Sequence, residues 1–308
     1  MSSTTASEVV TGRVLRMQSG FYTVETERGE LTCQLRGRLK KGRAREDIVA
    51  VGDLVRVIPQ DSSSGTIESV EPRYGVLERT APSPRGPYRQ VILANLEQVV
   101  FVFACAHPAP HLRMLDRFLV IAEKQHIPPL VVANKVDLLN IEAAREIFSI
   151  YEALGYPVLY TSVVSGEGID QLRLRLQGRL SGVAGPSGVG KSSLLNAVQP
   201  GLRLQVGDTS GGNKRKGMHT TVVRRLLPLE GGGYVADLPG LRSLALWDTQ
   251  PEELDGYFPE LRPLVANCQF SDCAHQGEPG CAVQKAVEEG QVHPARYESY
   301  LRLRSGED

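Results

Sequence analysis

The segment Gly185-Pro186-Ser187-Gly188-Val189-Gly190-Lys191-Ser192 fits the pattern G-x-x-x-x-G-K-[ST]. It follows an apolar run at 182–184 and precedes a helix-forming stretch at 193–198. This strand, loop and helix succession constrains the chain more than any other feature, because it belongs in a parallel α/β sheet whose strand ends hold phosphate. The glycines let backbone N–H groups wrap phosphate oxygens. Lys191 places a cation at the β- and γ-phosphates, and Ser192 offers its hydroxyl to Mg²⁺.

A second motif, Asn134-Lys135-Val136-Asp137, closes the apolar run 130–133 at the carboxyl end, where open α/β sheets bind ligands. A carboxylate there accepts hydrogen bonds from N1–H and the 2-amino group of guanine, and adenine presents no such pair. Asp137 thus selects GTP over ATP, Asn134 holds base and loop, and the stem of Lys135 covers the ring face. Alone, the string also reads as a helix N-terminus capped by Asp137; a phosphate loop in the same sheet favours the nucleotide. Thr161-Ser162, after the run 158–160, stands where a base-contacting backbone is expected, with a helix N-cap as the alternative. Asp237-Leu238-Pro239-Gly240 closes 234–236, so Asp237 approaches Mg²⁺ through water and the Gly240 N–H senses the γ-phosphate. Between them, Gly217-Met218-His219-Thr220-Thr221 offers a hydroxyl to the Mg²⁺ side from either threonine. In ordinary small GTPases the phosphate loop comes first, but here Asn134 precedes Gly185. The domain is therefore read as circularly permuted, which a site defined by strand ends tolerates.

Sequence texture predicts a multidomain chain. Residues 1–80 carry five short strand-like runs (12–17, 21–26, 30–35, 53–58, 66–70), the pattern of a small OB-type β-barrel whose usual ligand is an oligonucleotide. The alternative is a small β domain with a solvated basic loop at Arg36, Arg38, Lys40, Lys41, Arg43 and Arg45. Pro82, Pro84, Gly86 and Pro87 read as a linker. Residues 81–246 then alternate strand and helix as an α/β P-loop GTPase domain. Residues 247–308 are expected to form a mostly helical zinc-binding domain. In it, Cys268-x(4)-Cys273-x-His275-x(5)-Cys281 supplies three thiolates and one imidazole, a closed tetrahedral Zn²⁺ set. Metal is expected to supply much of this part's folding free energy.

The chain has 308 residues, with 35 Lys+Arg against 35 Asp+Glu. A net charge of zero argues against a uniformly basic nucleic-acid binder. It is an average, since 251–308 carries 5 basic against 11 acidic residues and leaves a basic remainder. Five cysteines, three of them crowded between 268 and 281, do not make a secreted disulfide framework. With no long apolar run, the expectation is a cytoplasmic monomer with no membrane partner. The segment after the phosphate loop leads directly into the C-terminal part, so nucleotide state is expected to reposition that part.

The order of these motifs resembles the RsgA (YjeQ) family of small-ribosomal-subunit biogenesis GTPases over nearly the whole chain. Glu278-Pro-Gly-Cys-Ala-Val283 and His293-Pro-Ala-Arg-Tyr297 also look like that family's C-terminal region. The resemblance implies GTP hydrolysis to GDP and phosphate, stimulated by the 30S subunit in late maturation, with barrel and zinc domain on rRNA. It places nucleotide contacts on Asn134, Lys135, Val136 and Asp137, and on Gly185, Pro186, Ser187, Gly188, Val189, Gly190, Lys191, Ser192 and Ser193. Zinc falls on Cys268, Cys273, His275 and Cys281. It implies a hydrophobic residue, Leu241, in place of a water-orienting Gln, so unstimulated turnover is expected at about 10⁻⁴–10⁻² s⁻¹. His219 then takes the water-positioning role, with a solvated, uninvolved His as the alternative. Two departures stand out: Leu238 for a Thr, which removes a hydroxyl near the phosphate side, and Met218 for an Arg.

An ATP-dependent P-loop enzyme, a non-catalytic GTP-dependent RNA-binding factor, and a permuted GTPase acting on the large subunit or tRNA are the competing readings. Asp137 opposes the first. In a competition measurement, unlabelled GTP is expected to displace a fluorescent guanine nucleotide while equal ATP does not.

Overall fold

The computed structural model describes residues 8–40, 46–81, 86, 88–204, 225–238 and 249–307. They fall into two compact units, one drawn from Met1–Gln98, Leu174–Val183 and Lys214–Ser243, the other from Val99–Arg173, Ala184–Asn213 and Leu244–Asp308.

In the first unit, strands β1 (Val10–Gln18), β2 (Phe21–Thr26), β3 (Gly29–Leu35), β4 (Leu54–Pro59) and β5 (Ser64–Val70) close a barrel in the order β1-β2-β3-β5-β4. Alternation puts Val14, Val24, Leu31, Cys33, Val55, Val57 and Ile67 inside. The barrel is the expected OB-type unit. Its basic run is partly neutralised from the neighbouring strand β5, because Arg36 and Arg38 both pair with Glu68. Strands β6 (Val76–Ala81) and β7 (Tyr88–Ala94) pair antiparallel. The proline-rich stretch read as a linker therefore joins two hydrogen-bonded strands. Buried Asp53 ties this region to the barrel: Arg73 donates to both its oxygens at 2.8 Å, and Asp47 accepts from Tyr88 Oη and Val91 N.

The next elements alternate as the apolar runs predict: β8 (Gln98–Ala104), α1 (Leu112–Lys124), β9 (Pro129–Asn134), α2 (Ile141–Ala153), β10 (Val158–Thr161), α3 (Ile169–Leu176), β11 (Leu180–Ala184), α4 (Lys191–Val198), β12 (Leu227–Pro228) and β13 (Tyr234–Asp237). Strands β8, β9 and β10 are parallel, and their ends align with Ala104 beside Asn134 and Asn134 beside Thr161. Every residue of β8 is buried, as a strand covered on both faces requires. In the first unit β11 runs parallel to β13, and β12 is antiparallel to it. There the barrel is fastened to these strands: Leu226 N donates to Leu15 O at 2.8 Å, Tyr234 Oη bonds Glu25, and the Arg13 guanidinium lies 5.2 Å over the Tyr234 ring.

The second unit also contains the C-terminal module: a 3₁₀ turn at Pro251–Tyr257, then α5 (Arg262–Val265), α6 (Ala282–Glu288) and α7 (Pro294–Ser305). Leu254, Phe258, Leu261, Val283, Val292 and Tyr300 form an apolar cluster that includes Val120 of α1. This core is larger than the sequence suggests, so apolar packing also holds the module together. Arg296 of α7 is 1% exposed and donates to Asp116 of α1 at 2.7 Å and to Glu260 at 2.6 Å. Ser299 and Tyr151 also donate to Asp116. Burial works against the Arg296 charge, but Asp116 and Glu260 outweigh it and hold its pKa above the ordinary value. The pairing fastens 251–307 to α1. No described helix is long and apolar enough to cross a membrane.

Asp116→Ala would leave Arg296 buried with part of its counter-charge gone, and is expected to lower the unfolding free energy by about 3 kcal/mol in urea denaturation. Arg113→Ala, which breaks only the exposed pair with Glu298, should cost under about 1 kcal/mol in the same measurement.

Candidate functional site: a guanine-nucleotide site and a metal knot

The phosphate loop leaves β11 at Gly185, where φ is +151° and the backbone runs so close to β8 that a Cβ would stand 2.1 Å from Val102 O. Only glycine fits this approach. Gly188 and Gly190 also have positive φ, and α4 begins at Lys191 with Gly190 as its N-cap. Pro186 and Val189 are buried, whereas Ser187 and Gly188 are exposed; Ser192 and Ser193 lie in the first turn of α4. Lys191 curls back and donates from Nζ to the carbonyls of Gly185 at 3.0 Å and Pro186 at 2.9 Å. The ammonium is thereby placed at the mouth of a loop whose amides precede a helix N-terminus, an arrangement suited to an anion.

The Asn-Lys-x-Asp motif is joined to this loop directly. Buried Asn134 donates from Nδ2 to Val189 O at 2.7 Å and accepts from Thr161 Oγ1 at 3.0 Å. Lys135, in the left-handed region at φ +65°, donates from Nζ to Gly188 O at 2.7 Å and to His107 O. Its stem therefore spans from the base motif to the phosphate loop. Val136 is buried under the turn. Ser162 Oγ donates to Asp137 Oδ1 at 2.5 Å and accepts from the amides of Val164 and Ser165, which orients the carboxylate. Cys105, at the end of β8, is pushed up to about 11 by burial and by the charge of Asp137. Sequence reasoning brought Asn134, Lys135, Asp137, Thr161, Ser162, Gly188 and Lys191 to one place. It missed the His107 carbonyl and the proximity of Cys105 to Asp137, because neither has a local sequence signal.

Asp237 ends β13 in register with Val183 and is exposed. Leu238 differs from its expected setting: it is buried, and a Cβ on Gly182 would lie 2.6 Å from its Cδ1. The leucine packs under the sheet, so this departure adds apolar contact where the sequence reading took it to remove a hydroxyl from the phosphate side. His219, Thr220, Thr221, Gly240, Leu241 and Met218 lie outside the described residues.

The second cluster is Cys268, Cys273, His275 and Cys281, whose ligand atoms lie within 4.8 Å of one another. His275 Nδ1 stands 3.4 Å from Cys281 Sγ and 3.6 Å from Cys268 Sγ. Tetrahedral Zn²⁺ with bonds of about 2.0–2.3 Å requires ligand separations of about 3.5–3.8 Å, so the donor set fits zinc. Burial, and the neighbouring thiols, push the Cys273 thiol up to about 12, so a thiolate there calls for a cation.

A phosphate loop and a guanine-selecting motif at the ends of parallel strands, with the second first in the chain, define a circularly permuted P-loop GTPase. Residues 70–247 match the family described as RsgA GTPase, and residues 11–67 match its N-terminal domain. The chain belongs to the RsgA family of GTPases. It is 46% identical over 297 residues, 96% of each chain, to the small ribosomal subunit biogenesis GTPase RsgA of Gemmatimonas aurantiaca. It is 45% identical over 290 residues, 94% of each, to that of Moorella thermoacetica. Among solved structures it is similar to YjeQ from Thermotoga maritima (TM-score 0.79, 37% identity, 97% of this chain and 98% of that one). It is also similar to YloQ, a circularly permuted GTPase (TM-score 0.75, 30% identity, 99% and 97%).

The close approach at the second glycine gives a test. A Cβ at Gly190, where φ is +95°, would stand 2.6 Å from Asn134 Nδ2. Gly190→Ala is expected to displace the Asn134 side chain and weaken GDP binding at least tenfold by titration calorimetry, with the far-UV spectrum unchanged.

Proposed function

We propose that this GTPase binds the small ribosomal subunit and hydrolyses GTP during late 30S maturation, with the subunit stimulating turnover. The observation that supports this reading best is coverage: relatives named small ribosomal subunit biogenesis GTPases align over barrel, GTPase core and C-terminal module alike. The functional division is 1–80 for rRNA contact, 81–246 for GTP and 247–308 for the zinc-bearing module. The protein would act as a cytoplasmic monomer with no membrane partner.

In this reading Asp137 accepts from the guanine edge, Thr161 and Ser162 set the loop beside it, and Lys135 covers the ring. Lys191 and the amides of the Gly185–Gly190 loop take the phosphate charge. Mg²⁺, held by Ser192, by Thr220 or Thr221 and through water by Asp237, is a hard ion suited to these oxygen donors and would neutralise phosphate charge. Gly240 N–H senses the γ-phosphate and His219 positions the attacking water when the subunit is bound. With Leu241 unable to hydrogen-bond water, turnover depends on the subunit. One structural zinc sits in the cysteine and histidine knot. With Arg36 and Arg38 paired to Glu68 and a net charge of zero over the chain, rRNA affinity would come from local patches and shape rather than general attraction.

Hydrolysis measured alone, with 30S and with 50S particles tests the reading. Stimulation by 30S only is the expected result; no stimulation by either particle overturns it. His219→Ala should keep GTP affinity near wild type and lose the stimulated turnover, and full stimulation in that variant would remove His219 from the mechanism.

A further inference from the structure

His275 is fully buried, so both ring nitrogens must be satisfied by the protein or by a metal. Nδ1 faces the thiols, 3.4 Å from Cys281 Sγ and 3.6 Å from Cys268 Sγ. Nε2 faces the other way and stands 3.3 Å from Asp255 Oδ2. Asp255 is not part of the cysteine loop. It comes from the 3₁₀ turn Pro251–Tyr257, which precedes the first cysteine. A neutral imidazole that offers Nδ1 to a metal keeps its proton on Nε2, and a carboxylate, which can only accept, is the matching partner.

The backbone around His275 is held separately. Its φ is +60°, a conformation unusual for a side-chain-bearing residue. Glu278 accepts from Ala274 N at 2.8 Å and Gln276 N at 2.6 Å. From α7, Tyr297 Oη donates to His275 O and Tyr300 Oη donates to Ala274 O at 3.2 Å. These bonds fix where the residue sits but leave the rotation and tautomer of the ring open. The Tyr300 ring, 5.8 Å away and tilted, packs beside the imidazole without accepting from it. Asp255 is the described residue that constrains the ring itself.

We propose that Asp255 is a positioning residue for the metal knot: it accepts the Nε2–H of His275, fixes Nδ1 as the ligating nitrogen, and so binds the turn Pro251–Tyr257 to the loaded knot. The proposal rests on the zinc reading of the four-residue cluster. Through it, metal retention depends on a segment outside the ligand loop, and that turn is held by the knot in return. Ligand-supporting carboxylates of this kind raise ligand basicity and orient the ring.

The test uses the full-length protein. Metal analysis of the wild type comes first: about one zinc per chain upholds the four-ligand reading, and no zinc overturns that reading independently of Asp255. Zinc release to a chromophoric chelator is then timed for wild type, Asp255→Ala, Asp255→Asn and, as a control on the same turn, the exposed Glu252→Ala. Asp255→Ala is expected to release zinc about 10–100-fold faster, the range seen when such outer partners are removed. Asp255→Asn, whose amide oxygen still accepts, should fall between Asp255→Ala and wild type, and Glu252→Ala should match wild type. In ¹⁵N-histidine spectra of the zinc-loaded protein, the Nε2–H resonance of His275 should be protected from exchange in wild type and lose protection in Asp255→Ala. Release from Asp255→Ala at the wild-type rate, or Asp255→Asn releasing no more slowly than Asp255→Ala, would overturn the proposal.

Discussion

Asn134 Nδ2 donating to Val189 O, 2.7 Å apart and buried, is the bond around which the nucleotide site is arranged. It joins the base-selecting turn to the phosphate loop without reference to which comes first in the chain. Lys135 repeats the link from its ammonium to Gly188 O, and Thr161 locks the far side of the Asn134 amide. A buried amide with its donor and acceptor both used has one orientation, and turning it would orphan two partners at once. The two loops therefore keep their spacing as a unit. That is why the order of the strands can be permuted while the site is kept: the bond needs the ends of strands side by side, and chain order enters only through the loops that connect them.

Permutation places the new chain ends elsewhere, and the C-terminal one is used for attachment. A module hung from the end of a nucleotide domain would ordinarily be joined by a single covalent connection. Here α7 adds a non-covalent attachment through Arg296, which places one guanidinium between Asp116 and Glu260 and against the Phe258 ring at 4.5 Å. A buried pair of this kind contributes little net stability compared with an apolar replacement, yet breaking it is costly because one charge is left unpaired. Its effect is to make one docking geometry much better than its neighbours. Tyr297 and Tyr300, next on the same helix, hold the backbone of the metal loop. Knot, α7 and α1 thus share one frame.

How much of this was legible in the sequence depended on whether the determinant was local. The run 99–104 is apolar throughout and too short for a typical helix, and the fully buried strand β8 covers it. The phosphate loop was readable because its glycines answer to local backbone geometry. By contrast, the prolines at 82, 84 and 87 read as a linker and give no sign that the strands on either side of them, β6 and β7, are hydrogen-bonded to each other. Leu238 was read from its neighbours in the motif, while its environment is set by Gly182 on an adjacent strand. Arg296 with Asp116, and Asp255 with His275, are pairs that no local pattern links. Neither has a spacing to recognise, and only the fold brings them together.

The barrel shows the same dependence on non-local bonds. Pairing of β1 with β2 shifts register between Val14 and Arg16, so Leu15 has no partner on β2. Such a bulge turns one carbonyl away from its ladder, and the Leu15 carbonyl accepts from Leu226 N instead. One residue further on begins β12, which pairs with β13, and β13 ends at Asp237. Tyr234, at the start of β13, is held from the barrel by Glu25 and Arg13. Backbone hydrogen bonds therefore run from a barrel strand to the strand that presents Asp237, with only the four residues of β13 between the barrel contact and the carboxylate. A rigid link that short leaves little room to absorb a displacement of the barrel, so whatever holds the barrel also constrains where Asp237 stands.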